Sequence, residues 1–142
     1  MKYESRSAEE TEKIAFGIAR SLPPPQIFCL DGDLGAGKTA FARGLAKGYG
    51  YEGRVTSPTF TILNIYEGDV DIHHFDLYRA QSEDELFELG FESFLHDGVG
   101  IVEWSSKFRE LFDEDAVRVS ITRGKNEDDR IIEVKENENT GN

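Results

Sequence analysis

The hydrophobic positions of the chain follow a helical spacing in some stretches and form short continuous runs in others. Apolar residues within 7–22 recur every three or four positions, which is typical of an amphipathic helix. Ser7 and Glu10 have capping-box spacing and predict its first turn. The prolines at 23–25 predict its end, because proline cannot donate the next helical hydrogen bond. The face predicted to be buried consists of Ala15, Ile18, Ala19 and Leu22.

The rest of the pattern alternates between short strands and helices. Residues 59–79 contain two apolar arms separated by the polar turn Glu67–Asp69, which predicts two strands folded back on each other. Further strands are predicted at 26–32, 99–104, 116–122 and 130–136, and further helices at 38–50, 82–90 and 105–112. This order predicts a single α/β domain with a mixed β-sheet and a central hairpin. We place the domain at 1–135 and expect the acidic and polar tail 136–142 to be disordered.

One stretch between a predicted strand and a predicted helix carries candidate chemistry. Residues 32–39 read GDLGAGKT and fit the phosphate-loop pattern at every fixed position. Glycines allow several backbone amides to point into one concavity, and the start of a helix favours negative charge there. Lys38 would contact the β- and γ-phosphates of a nucleotide, and the Thr39 hydroxyl would hold Mg²⁺. The alternative, a glycine-rich turn without a ligand, is disfavoured by the strand before the loop and the helix after it.

Phosphate-loop proteins also hold their metal with a carboxylate on a neighbouring strand, directly or through water. Glu103 and Asp76 are the two candidates, since each ends a predicted buried strand, where the ligands of α/β sheets gather. Either acid alone has a plain alternative as a solvated residue at a strand end. His73 and His74 are adjacent, so on a strand they face opposite ways and cannot both line one site.

Two nearby features leave a structural and a functional interpretation open. The hydroxyl-rich stretch TSPTFT at 56–61 is either a sensor of the γ-phosphate or a plain loop that leads into a strand. Trp104, the only tryptophan, is either a packing residue or a contact to a partner or switch.

The overall composition narrows the class of protein. The 142 residues carry a formal net charge of −12, and an acidic surface repels the phosphate backbone, which argues against tight direct binding of nucleic acid. No apolar run approaches the ~18 residues of a membrane span, and the N-terminus lacks the apolar segment of a secretory signal. Cys29 is the only cysteine, which favours a core position and a reducing, cytoplasmic setting.

Five separated stretches resemble the TsaE family, also called YjeE, the small bacterial ATPases of tRNA threonylcarbamoyladenosine biosynthesis. They are GDLGAGKT, VTSPTFTILNIYEG, HHFDLYR, ELG and IVEW, in the order and spacing of the family. The likeness extends from about residue 7 to residue 135. SPTFT, the H-x-D-L-Y-R pattern and EW make it far more specific than the phosphate loop alone. The resemblance implies a three-layer fold like that of P-loop NTPases.

The resemblance also implies roles for particular residues. Lys38 and Thr39 match the phosphate-loop pair, with Thr39 a magnesium ligand, and Glu103 matches the second magnesium ligand. Asp76 matches an aspartate that is important for ATP hydrolysis. The implied catalytic residues are Lys38, Asp76 and Glu103, and the implied nucleotide-binding residues are Thr11, Asp33, Leu34, Gly35, Ala36, Gly37, Lys38, Thr39, Ala40 and Arg130.

The chain departs from the family pattern at two places. Ala40 replaces a second hydroxyl residue after the lysine, which removes no metal ligand. Ser105–Lys107 stands where the family usually has proline and glutamate after EW, so no role of that glutamate is carried over. The segment Ser57–Thr59 corresponds to one that resembles a switch I loop.

The implied activity is hydrolysis of ATP with Mg²⁺, as an accessory to threonylcarbamoyl transfer onto adenosine 37 of tRNAs that read ANN codons. The implied partners are the TsaB and TsaD proteins, with tRNA met only through their complex. We expect slow hydrolysis by the chain alone, because it has no arginine finger or water-positioning glutamine in a motif context; Arg79 or a partner residue would complete the site. A small-molecule kinase is the main alternative, although no arginine-rich lid segment is present. A GTP switch would need an Asn/Thr-Lys-x-Asp motif, which the sequence lacks.

Overall fold

The described residues form one mixed β-sheet of seven strands. The computed structural model describes residues 1–32, 37–55, 62–112 and 116–136. The strands are β1 (Lys2–Ser5), β2 (Gln26–Asp31), β3 (Leu63–Tyr66), β4 (Ile72–Asp76), β5 (Val99–Glu103), β6 (Val117–Arg123) and β7 (Arg130–Lys135). Their order across the sheet is β1-β7-β6-β2-β5-β4-β3. The inner strands β6, β2, β5 and β4 run parallel, whereas β1–β7, β7–β6 and β4–β3 pair antiparallel.

The helices that the sequence predicts begin where its local signals place them. The α-helices are α1 (Ala8–Ser21), α2 (Lys38–Gly48), α3 (Glu83–Leu89) and α4 (Phe91–Leu95), and 3₁₀ helices span Leu77–Arg79 and Ser105–Leu111. The Ser7 hydroxyl accepts the Glu10 amide at 3.1 Å and caps α1. Ser82 caps α3 in the same way, accepting the Glu85 amide at 3.2 Å. Over the part of the chain that the structure describes, no helix has both the length and the apolar surface needed to cross a membrane.

Most predicted elements are confirmed, and four details go beyond or against the prediction. Leu77–Arg79 form a 3₁₀ helix instead of continuing the second arm of the predicted hairpin. The β3–β4 hairpin is present, with Tyr66 opposite Ile72, and forms one edge of the sheet. The predicted helix at 105–112 is a 3₁₀ segment interrupted at Phe108, whose φ of −136° and ψ of 60° are not helical. β1 and α4 were not predicted. Each has only four or five residues, too few for a periodic pattern to stand out.

Hydrophobic side chains pack on both faces of the sheet, and this confirms three layers. Phe28 and Leu30 of β2 belong to the cluster that includes the buried faces of α1 and α2. Cys29 lies between them in sequence and belongs to the opposite cluster, together with Leu86 of α3 and Phe91 of α4. Successive residues of β2 therefore serve opposite layers, as the alternation of side chains along a strand requires.

Close packing against α1 fixes the position of α2, the helix that follows the phosphate-loop sequence. A Cβ at Gly44 would lie 2.2 Å from the Glu12 carbonyl oxygen, so only glycine allows the two backbones to approach this closely. The Glu12 carboxylate pairs with Lys47 and lies 3.5 Å from Arg43 Nη1. The hydrogen bond from Lys47 holds the pKa of Glu12 below its usual value. Both contacts tie α2 to α1 and so set where the first turn of α2 meets the sheet.

Candidate active site

The start of α2 has the features of an anion-binding helix terminus. Gly37 precedes the helix with a φ of 103°, in the left-handed region that favours glycine. The Phe41 amide donates to the Gly37 carbonyl at 3.0 Å, so the amides of Lys38, Thr39 and Ala40 come before the helical ladder. No side chain in the described part of the chain caps α2, in contrast to the serine caps of α1 and α3. These amides can therefore donate to an anion, with the helix dipole in support.

Glu103 and Asp76 are the last residues of the neighbouring parallel strands β5 and β4. They lie at the carboxyl ends of the parallel strands, which the start of α2 faces. They lie opposite each other in the register of β5 and β4, and Glu103 lies opposite Leu30 of β2. Glu103 Oε1 is 3.7 Å from Lys38 Nζ. Both residues are buried, with exposed fractions of 4% for Glu103 and 6% for Lys38. The fold thus brings together the three residues that the sequence proposed as catalytic.

A histidine and a tyrosine lie behind Glu103, and sequence reasoning missed their role. His74 Nε2 is 2.6 Å from Glu103 Oε2, and the Tyr66 hydroxyl is 3.0 Å from His74 Nδ1. All three residues are buried. A signal for His74 was present in the sequence, since it precedes Asp76 by two residues on one strand and so shares a face with it. Tyr66 comes from the neighbouring strand, and local sequence carries no signal for its contact.

Trp104 covers the Lys38 side chain. The Trp104 ring centroid lies 4.7 Å from Lys38 Nζ, within cation–π range, and 5.0 Å from the ring of Tyr78. The backbone of Trp104 has a φ of 63°, the only positive value for a non-glycine residue among those described. Such conformations are uncommon outside glycine and concentrate at functional sites. Trp104 therefore packs within the site itself, next to the residue that ends β5.

Asp76 is half-buried beside the other charged groups. Burial raises the pKa of its carboxyl and the negative charge of Glu103 adds to the rise, whereas the Tyr78 amide and Lys38 oppose it. Asp76 Oδ1 accepts the Tyr78 amide at 3.0 Å and so begins the 3₁₀ turn that follows β4. The orientation of this carboxylate is therefore set by the turn, and its ionisation is coupled to that of its neighbours.

Arg130, the first residue of β7, lies beside the start of α2. A Cβ added to Gly37 would be 3.7 Å from Arg130 Nε. Arg130 Nη1 donates to the carbonyls of Glu127 and Asp129, at 2.7 and 2.8 Å. Arg130 also lines a cavity of about 400 Å³, a volume within the range of small-molecule sites. The cavity wall mixes basic, acidic and polar residues, and the others that line it are Glu4, Ser5, Arg6, Gly124, Lys125, Asn126, Asp129 and Ile131.

Thr11 stands directly behind this cavity. Its side chain is almost fully buried, and its Oγ1 lies 2.7 Å from the hydroxyl of Ser5, which lines the cavity. Ser5 in turn lies opposite Arg130 in the pairing of β1 and β7. The two implied nucleotide-binding residues that lie outside 33–40, Thr11 and Arg130, are therefore brought to one cavity wall, and Arg130 also lies beside Gly37.

Thr39 and Glu103 supply the kind of oxygen atoms that a magnesium site uses. Mg²⁺ prefers oxygen ligands and is commonly held by one or two protein side chains together with phosphate oxygens and water. Thr39 follows Lys38 in the first turn of α2, and Glu103 turns Oε1 toward Lys38 while Oε2 is held by His74. One carboxylate oxygen therefore faces the helix start, where a metal bound to phosphate would need it.

Part of the predicted site is not described by the structure. The loop residues Asp33, Leu34, Gly35 and Ala36, the stretch 56–61 and the tail residues 137–142 lie outside the described residues. Their assigned roles stay predictions.

A helix begins at Lys38 directly after Gly37, beside the buried parallel strand β2, and a carboxylate faces the lysine from the adjacent strand β5. Together with the glycine-rich sequence that precedes Lys38, this arrangement is typical of the phosphate-loop class of nucleotide-binding proteins. The model of the family described as "Threonylcarbamoyl adenosine biosynthesis protein TsaE" matches residues 5–132 of the chain. The chain therefore belongs to the TsaE family.

Individual relatives agree with this assignment. Proteins named tRNA threonylcarbamoyladenosine biosynthesis protein TsaE are similar to the chain in several bacteria. The one from Rickettsia conorii is 42% identical over 117 residues, covering 81% of this chain and 67% of the relative. The one from Bacillus subtilis is 38% identical over 134 residues, covering 93% and 83%. The crystal structure of YdiB from Bacillus subtilis superposes with a TM-score of 0.77 at 33% identity, covering 99% of this chain and 87% of that one.

Proposed function

We propose that the protein binds and hydrolyses ATP with Mg²⁺, as an accessory protein in the formation of the threonylcarbamoyl group at adenosine 37 of tRNAs that read ANN codons. The observation that carries the proposal is the buried pair of Lys38 and Glu103, 3.7 Å apart at the start of α2. Taking two charges out of water costs free energy that a loose pair does not recover. A bound polyphosphate would pair with Lys38, and its metal ion would pair with Glu103. Ligand binding would therefore explain why both charges are buried. Family membership and the names of the relatives support the tRNA pathway.

The phosphate end of the nucleotide is assigned to the start of α2. Lys38 would exchange its contact with Glu103 for the β- and γ-phosphates, and the amides of Lys38, Thr39 and Ala40 would donate to phosphate oxygens. The Thr39 hydroxyl and Glu103 would hold the magnesium ion. When bound, Mg²⁺ neutralises the negative charge that develops on the transferred phosphoryl group.

The nucleoside end is assigned to the cavity beside Arg130. Arg130 lines the cavity and lies beside Gly37, and the cavity volume of about 400 Å³ is enough for a base and a sugar. The guanidinium of Arg130 can stack on a base or donate to the sugar and phosphates. Thr11 would act through Ser5, whose hydroxyl it contacts at 2.7 Å, and so shape the wall of the cavity.

Asp76 is assigned to the hydrolytic water. It lies opposite Glu103 in the sheet register, at the edge where the γ-phosphate would lie. A carboxylate in this position can accept a hydrogen bond from the attacking water and orient it for in-line attack. The chain supplies this orienting group by itself, but we expect hydrolysis to remain slow without a partner. A charged group supplied in trans is worth about 10³ to 10⁵ in rate in related chemistry.

The partners proposed are TsaB and TsaD, with tRNA bound through their complex. The formal net charge of −12 fits a subunit that does not grip the phosphate backbone itself. It also favours a partner surface rich in basic residues, because opposite charges speed association. Hydrolysis would then reset the complex between rounds of tRNA modification.

Calorimetry and phosphate release together test the proposal. Mg²⁺-ATP and Mg²⁺-GTP are titrated separately into the chain, alone and mixed with the TsaB–TsaD pair, and a pull-down with that pair is run with and without ATP. We expect heat with ATP, slow release of phosphate by the chain alone and faster release with the pair. Absence of heat under both conditions would overturn the proposal. Transfer of phosphate to an added small-molecule acceptor instead of water would favour a kinase.

A further inference from the structure

The two oxygens of the Glu103 carboxylate have contacts of very different closeness. Oε2 lies 2.6 Å from His74 Nε2, a short hydrogen bond of the charge-assisted kind. Oε1 lies 3.7 Å from Lys38 Nζ, beyond ordinary hydrogen-bond distance. The histidine, and not the phosphate-loop lysine, therefore decides which way this carboxylate points.

His74 is itself fixed from its other side. It is fully buried, and the Tyr66 hydroxyl lies 3.0 Å from its Nδ1. A carboxylate oxygen accepts, so Nε2 donates to Glu103. In the Nε2–H tautomer this leaves Nδ1 to accept from the Tyr66 hydroxyl. The ring of Tyr66 is stacked on that of Tyr51 with centroids 5.0 Å apart. The contacts form a directed chain from Tyr66 through His74 to Glu103.

This series of hydrogen bonds matters because the Glu103 carboxylate can turn toward either of two cations, Lys38 or a bound magnesium ion. A carboxylate free to rotate would turn toward Lys38 and form a closer ion pair, which would occupy the charge that phosphate needs. We infer that His74, with Tyr66 behind it, is a positioning residue that holds the Glu103 carboxylate in the orientation that binds magnesium. The inference rests on the proposed function. Groups that orient a metal ligand from behind contribute about tenfold to a hundredfold to metal affinity or activity in other proteins.

Three substitutions separate the contributions of this chain of contacts. H74F keeps an aromatic ring of similar size and removes both hydrogen bonds. H74Q places an amide nitrogen near the position of Nε2 and so keeps the donor to Glu103. Y66F removes only the hydroxyl behind the histidine.

His73 provides a matched control on the same strand. It is also buried, and its Nδ1 lies 3.0 Å from the Asp97 carbonyl oxygen while its ring packs on Phe94. The prediction that the two histidines face opposite ways is thereby confirmed. H73F makes the same chemical change at the neighbouring residue without altering a contact of Glu103.

The first readout is the Mg²⁺ concentration that half-saturates ATP-dependent binding, measured by calorimetry and by the fluorescence of Trp104, the only tryptophan. We expect H74F to raise this concentration by about tenfold or more. H74Q should recover most of the loss, and Y66F should fall between the wild type and H74F. The half-saturating Mg²⁺ concentration of H73F should equal that of the wild type. The ATP affinity measured in EDTA should be the same as that of the wild type for every variant.

The second readout needs no ligand. Proton–nitrogen NMR of the histidine rings should show His74 as the Nε2–H tautomer in the wild type, with an exchange-protected ring proton. Y66F should change the Nδ1 resonance of His74.

An unchanged magnesium midpoint in H74F, while the wild type binds Mg²⁺-ATP, would overturn this inference and leave the proposed function standing. Equal impairment of H74Q and H74F, or an Nδ1–H tautomer, would overturn it as well. Failure of the wild type to bind ATP at any Mg²⁺ concentration would overturn the proposed function and this inference together. If H74F does not fold, an unchanged midpoint in Y66F overturns the inference.

Discussion

Lys38 Nζ lies 3.7 Å from Glu103 Oε1, and less than a tenth of either side chain reaches solvent. The lysine comes from the first turn of α2 and the glutamate from the last residue of β5, so the contact joins the helix to the neighbouring strand of the sheet. The two charges are close but do not form a full hydrogen bond. Such a loose pair suits a site in which the lysine and the glutamate exchange each other for the phosphates and the metal ion of a ligand. The first two predictions remove one partner each.

K38M removes the cation that is proposed to anchor the phosphates. Hydrogen bonds to charged groups contribute about 1.5–3 kcal/mol each, so we expect ATP affinity to fall by about tenfold to a hundredfold. Calorimetry with Mg²⁺-ATP measures the loss, and complementation of a strain without its own family member measures support for tRNA modification. K47M is the matched control, since Lys47 lies in the last turn of the same helix and pairs with Glu12. Normal ATP binding by K38M would contradict the assignment of the site.

E103A should weaken magnesium-dependent turnover more than nucleotide binding. Even changes behind a metal ligand cost about tenfold, so loss of the ligand itself should cost at least that much in turnover. ATP affinity in EDTA should stay the same or rise, because a negative charge near the phosphates is removed. E110A, at an exposed position in the 3₁₀ segment, is the control. A turnover rate equal to that of the wild type would exclude Glu103 as the metal carboxylate.

D76N should lower ATP turnover and raise the stability of the folded state. Because burial raises the pKa of Asp76 above its ordinary value of 3.8, the folded state binds this proton more tightly than the unfolded state does. Stability therefore falls as the pH rises through the window between the two values, and the full cost of the ionised carboxylate is present at pH 7. Asparagine carries no charge and can still accept the Tyr78 amide.

We therefore expect D76N to unfold at a higher temperature than the wild type at pH 7 and to lose that advantage at low pH, with reduced ATP turnover. Thermal unfolding at several pH values measures the first effect and phosphate release the second. D128N, at an exposed acid, should show neither. A lower unfolding temperature for D76N at pH 7 would refute the electrostatic argument.

Cys29 should make the protein less stable in alkali. Burial raises the pKa of its thiol from 9.0 to about 11, so the unfolded chain ionises first. The stability contributed by the protonated thiol is fully present below pH 9 and is lost as the pH rises to about 11. The loss should approach about 3 kcal/mol.

Denaturant unfolding at pH 8, 9, 10 and 11 tests this, with C29A as the reference for all other titrating groups. The difference in unfolding free energy between the two proteins should shrink over the upper part of this range. The native thiol should also react slowly with an aromatic disulfide reagent at pH 8. A constant difference together with rapid reaction would show that the thiol is accessible.

Features formed by residues close together in the sequence could be predicted from the sequence alone. The phosphate-loop pattern, the serine caps and the turn at Glu67–Asp69 act within a few residues, so their chemistry can be read from the chain itself. The positions of Glu103 and Asp76 at strand ends followed from the same kind of local pattern. The alternation of side chains along β4 also separated His73 from His74 correctly.

Only the tertiary structure decided which of these groups meet. His74 and Glu103 are 29 residues apart and touch because β4 and β5 pair in one particular parallel register. That register places Asp76 opposite Glu103, and His74 two residues earlier on the same face of the strand. Arg130 reaches Gly37 because β7 returns beside β6. Local sequence carries no record of such a register, since it is set by how the helices pack on both faces of the sheet. The sequence by itself therefore determined the candidate ligands, and the packing of the layers determined which residue holds each of them in place.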